Sequence, residues 1–96
     1  MILKLVKIKE SVDGLRNSTE GNTIKLLKLM DEARRLAEEY KEVLFVRNFS
    51  QDIEECESID KYKTPKDRRA QYEKAKEEFQ SDLRNFIYFL ERSTKG

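Results

Sequence analysis

The chain has 96 residues, with 20 Lys and Arg against 19 Asp and Glu, so charged side chains make up 41% of it, well above the usual quarter. It contains no histidine, no tryptophan, one cysteine and three glycines. This composition excludes imidazole acid–base chemistry, a His/Cys zinc set, an internal disulfide and a glycine-rich phosphate loop, and the net charge of +1 argues against a globally basic nucleic-acid protein.

Ala, Glu, Lys, Leu and Arg account for 47 of the 96 residues, which points to an all-α chain wherever the apolar period agrees. Met1, Leu5, Ile8, Val12 and Leu15 follow at steps of four and three, a single helical stripe that predicts a first helix ending near Gly14. The competing strand reading, by alternation over residues 3–9, needs a slip at Leu5-Val6 and leaves Val12 and Leu15 unexplained.

Asn17-Ser18-Thr19-Glu20-Gly21-Asn22 is the clearest turn cluster, with Asn22 or Thr23 as the cap of a helix starting near Ile24. Leu26, Met30, Ala33, Ala37, Tyr40 and Leu44 then keep the four-three step. Asn48-Phe49-Ser50-Gln51 resembles a capping box, so this long second helix is expected to kink or break near Asn48. A restart at Ser50 puts Asp52, Glu54 and Glu55 in a first turn, where the helix dipole favours acid.

Thr64-Pro65 is the strongest start signal, a capping side chain followed by Pro at the first helical position. Phe79, Leu83, Phe86 and Leu90 carry the last helix until the pattern ends at Ser93. The expected fold is one domain over residues 1–96, a small antiparallel bundle of three helices crossing at about 20°. Its expected core is Leu5, Ile8, Val12, Leu26, Met30, Ala33, Ala37, Tyr40, Leu44, Phe49, Ile53, Phe79, Leu83, Phe86 and Leu90.

Two stretches invite a functional reading. Phe86, Ile87, Tyr88, Phe89 and Leu90 form an uninterrupted apolar run that wraps most of a helical turn. Either all of it is buried as the bundle's central helix, or one face, at Tyr88 and Phe89, stays exposed to meet a partner protein or a second copy. Residues 61–69 form the one basic patch, and Lys61, Tyr62, Lys63, Lys66, Arg68 and Arg69 are its anion or nucleic-acid candidates. The last three cations fall in the first turn of a helix, where the dipole already presents positive potential and an anion relieves the conflict. The opposing reading is a solvated surface, with Arg69 reaching Glu73, Lys74 reaching Glu78 and the acids of 52–60 folding back.

No catalytic residue, cofactor or metal site follows from the pattern. Cys56 sits between Glu55 and Glu57, which disfavour a reactive thiolate, and the Glu clusters lack a calcium loop or a Glu-x-x-His pair. The longest apolar runs fall far short of a membrane span, no secretory pattern opens the chain, and the unpaired cysteine fits a reducing cytoplasm. The sequence is therefore read as a non-enzymatic interaction or regulatory module, homodimeric through the 86–90 face, with nucleic-acid association through the basic turn as the alternative.

Overall fold

The computed structural model describes residues 2–94, all helical apart from turns. Met1, expected on the first stripe, lies outside the described residues. Helix α1 runs Ile2–Asp13, α2 Glu20–Glu39, α3 Val43–Glu57 and α4 Pro65–Thr94, with a 3-10 turn at Ser58–Lys61 between the last two. The helices alternate in direction along the chain. Helix α2 folds back on α3, α3 on α4, and α1 closes the bundle by packing mainly on α4 and more lightly on α2. At about 45 Å for 30 residues, α4 runs nearly the whole length of a molecule measuring 48 × 23 × 16 Å.

The first segment is a helix because Leu5, Ile8 and Val12 all bury on one stripe, an arrangement a strand cannot give them. It ends at Gly14, whose amide donates back to the Glu10 and Ser11 carbonyls. Helix α2 begins one turn before the expected Ile24, because Thr19 takes the cap: its Oγ1 accepts from the Asn22 amide at 3.1 Å. The other two capping candidates are turned to the same junction, Asn22 donating through its side chain to the Asn17 carbonyl and Thr23 through its hydroxyl to the Thr19 carbonyl.

Two expectations are corrected here. There are four helices, not three, and the break comes at Tyr40–Glu42 instead of Asn48, which sits inside α3. The chain reverses through a Schellman turn: the Lys41 amide donates to the Glu38 carbonyl and the Glu42 amide to the Ala37 carbonyl, with Lys41 in the left-handed region at φ 59°. Because α3 starts afresh after this turn, Tyr40 and Leu44 leave the core, and Leu44 is 62% exposed. The buried face of α3 is instead Phe45, Phe49, Asp52 and Cys56, while Ile53 is half-buried. Asp52 is thus mid-helix and inside, not in a first turn.

The remaining expected core residues are buried, joined by Leu15, Leu36, Phe45, Cys56, Ile59, Tyr72 and Ala75. Phe49 packs edge-on against Phe79 at 5.7 Å and Phe86 at 5.8 Å, an aromatic layer across the α3–α4 seam. Polar ties complete the packing. The Tyr72 hydroxyl donates to the Leu15 carbonyl at 2.8 Å, and buried Gln71 donates to the Glu55 carbonyl, Glu55 Oε2 and Ser58 Oγ at 2.8–3.0 Å. On the outer face of α2, Asp31 meets Arg34 at 2.7 Å and Arg35 at 3.0 Å, and the Arg34 hydrogen bond holds its carboxyl below the ordinary range.

Candidate functional site

The reversal at Lys41 decides which apolar residues face solvent. It brings the first turn of α3 to the end of the bundle where α4 finishes, and Phe45 stacks on Phe86 at 4.6 Å and lies against Phe89 at 5.5 Å. Tyr40 meets Phe86 edge-on at 6.3 Å from the other side of the turn. Helical geometry then divides the 86–90 run. Phe86 and Leu90 point inward and are buried, and Ile87 is half-buried. Tyr88 and Phe89 are exposed, Tyr88 at 59%. Val43, 70% exposed, and Leu44 stand on the adjoining turn of α3. Arg92 donates to the Tyr88 hydroxyl at 3.0 Å and lies over its ring at 5.4 Å, which holds the ring in place. Phe45, Asn85, Tyr88, Phe89, Arg92 and Ser93 line an open cleft of about 530 Å³ here.

Tyr40 and Leu44 were expected inside and are instead exposed at this end, with Val43 beside Leu44. The signal for Val43 and Leu44 is the one that marks 86–90: Val43-Leu44-Phe45-Val46 is four apolar residues in a row, more than one stripe of a helix can bury.

The basic turn lies at the opposite end. Lys61, Tyr62, Lys63, Lys66, Arg68 and Arg69 are all exposed, on the 3-10 turn and the start of α4. The α2 and α4 N-termini meet there around a cleft of about 320 Å³ whose charged lining is Lys63 and Arg68 against Glu20 and Asp60. Arg68 approaches Asp60 at 3.7 Å, so one of the acids of 52–60 does fold back on the patch. The amides of both termini are also served from within: Thr64 Oγ1 accepts from the Asp67 amide at 3.2 Å, as Thr19 does at α2. One ion pair and the two caps thus lie beside the patch. Lys74 turns to Glu55 of α3 at 3.6 Å instead of to Glu78.

A third constellation went unread in the sequence. Asp52 is 2% exposed and lines a polar cleft of about 300 Å³ with Asn48, Gln51, Glu78, Ser81 and Asp82. Burial first, then Asp82, Glu78 and Glu55, push its carboxyl up to about 9, so it is a neutral acid at physiological pH. Its signal was phase: Asp52 follows Phe45 and Phe49 and precedes Cys56 at steps of four, three and four. Cys56 is buried too. Burial, with Glu57 and Asp60, lifts its thiol to about 12, which keeps it protonated and unreactive. Among the described residues no group of three or more His, Cys, Asp or Glu side chains is placed to hold a metal ion.

No protein-family model, curated protein or solved structure matches the chain. Among the described residues no helix is long and apolar enough to cross a membrane.

Proposed function

We propose that this protein is a non-catalytic interaction module whose working surface is the apolar end formed by Tyr40, Val43, Leu44, Tyr88 and Phe89, and that a second copy of the chain is its partner. The observation that carries this reading is that Val43 and Leu44 of α3, Tyr88 and Phe89 of α4 and Tyr40 of the turn between α2 and α3 are left exposed at the end of the molecule where Phe45 lies against Phe89. Exposed apolar residues scattered singly need no explanation, but several large ones gathered at one end of a small molecule mark a contact surface. Two-fold pairing needs only a self-complementary patch, and the charged residues that neighbour these side chains, Lys41, Glu42 and Arg92, carry both signs. A lone thiol with no mate suits a reducing compartment such as the cytoplasm.

Light scattering or sedimentation across a dilution series tests the reading. The chain is expected to pass from dimer to monomer on dilution, and Leu44→Ser with Tyr88→Ser to shift that transition to at least tenfold higher concentration without altering helicity, since neither side chain supports the core. A chain that stays monomeric at every concentration and binds no hydrophobic dye overturns it.

A further inference from the structure

Asp52 occupies a core position of α3, and its Oδ2 has no hydrogen-bond partner among the described residues. Across the seam, Asp82 of α4 and Glu78 one turn earlier line the same cleft as Asp52, and Glu55 follows one turn on along α3 itself. Asn48, Gln51 and Ser81 complete the cleft and carry no charge. Lys74, the α4 cation on this seam, is engaged with Glu55, and neither α2 nor the 3-10 turn lends a residue to the lining. Two carboxylates meeting in such a place repel with no cation to compensate. One proton turns the repulsion into an O–H···O⁻ hydrogen bond, which belongs to the short and strong class.

We infer that Asp52 and Asp82 share a single proton and act as a pH-sensitive clasp between α3 and α4. Asp52 donates and Asp82 accepts. The clasp is closed at neutral pH, since burial and three neighbouring carboxyls hold the Asp52 proton until about pH 9. Above that pH the proton leaves to solvent, two anions face each other, and the seam that seats Phe49 against Phe79 and Phe86 loses its polar tie.

The test is infrared spectroscopy of the full chain in heavy water, with unfolding by urea in parallel, from about pH 5 to about pH 10. The wild-type chain is expected to show the carbonyl stretch of a protonated carboxylic acid at neutral pH, lost near pH 9, and to unfold at progressively lower urea as pH rises. Asp52→Asn keeps a donor for Asp82 but has no proton to lose, so the band is absent and the pH dependence of unfolding flattens. In Asp82→Asn one facing charge is gone, and the band, still present, vanishes at a lower pH. The second variant keeps the idea testable if the first folds poorly. No protonated carboxyl in the wild type at neutral pH, or a band that titrates identically in Asp82→Asn, overturns the clasp.

Discussion

Tyr72 ties the segment after α1 to α4 through a hydrogen bond buried in the core. Its hydroxyl donates to the Leu15 carbonyl, and burial raises its own ionisation above the ordinary range. Tyr72→Phe leaves that carbonyl without its partner in an apolar setting, and the expected cost is about 1–3 kcal/mol, read from the urea midpoint at unchanged m-value. Asp52 acts in the opposite sense. Its folded carboxyl holds a proton up to about pH 9, whereas in the unfolded chain it loses that proton near pH 4. Between those values the folded state binds the extra proton, so stability declines as pH rises. Its contribution is fully present below pH 4 and is gone once pH has risen through 9. Asp52→Asn removes that slope. An isolated acid on a helix usually marks the wet face, so phase against Phe45, Phe49 and Cys56 is the one sequence signal for its burial, and that phase appears only once α3 is known to begin at Val43.

Among the elements, those fixed by local chemistry were legible and the one fixed by tertiary packing was not. Thr64-Pro65 marks the start of α4 because a capping hydroxyl and a preset φ act within one turn. At the α2 start several capping residues compete within six positions, and Thr19 prevails over Asn22 and Thr23. The reversal at Tyr40–Glu42 carries no Gly or Pro, and Ala37, Tyr40 and Leu44 continue the helical step straight through it. A lysine fills the left-handed position that glycine prefers. Lys41→Gly is therefore expected to stabilise the chain by about 0.5–1 kcal/mol, the relief of backbone crowding exceeding the added freedom of the unfolded state. Thermal unfolding of the pair of proteins measures it, and a lower melting temperature in Lys41→Gly contradicts the account. The 86–90 run was legible down to the pair left exposed, Tyr88 and Phe89, but that Tyr40 and Leu44 are exposed as well depends on where α3 turns back.

For the whole molecule, α4 carries α3 and α1 along its length while α2 is held mainly by α3, and the apolar end and the basic turn lie at the two extremes of α4. The helical class and most of the core followed from period alone, because a four-three step specifies a buried stripe whatever the partner helix is. The number of helices did not follow, since a continuous stripe serves a long rod and a hairpin equally well. Helix α1 stands apart from the other three in how it is held. Twelve residues are marginal as a helix in isolation, and its polar links to α4, Leu15 to Tyr72 and Asp13 to Gln80, close loops of 57 and 67 residues. Contacts of such long range form late, after α2, α3 and α4 have assembled through their shorter connections. Leu5→Ala and Val12→Ala are accordingly expected to quicken unfolding while leaving the refolding rate nearly unchanged, as stopped-flow traces can establish. In the native ensemble the same asymmetry makes α1 a separate cooperative unit, whose amides exchange with solvent through an opening cheaper than global unfolding, while those of the α3–α4 seam wait for the whole chain to come apart.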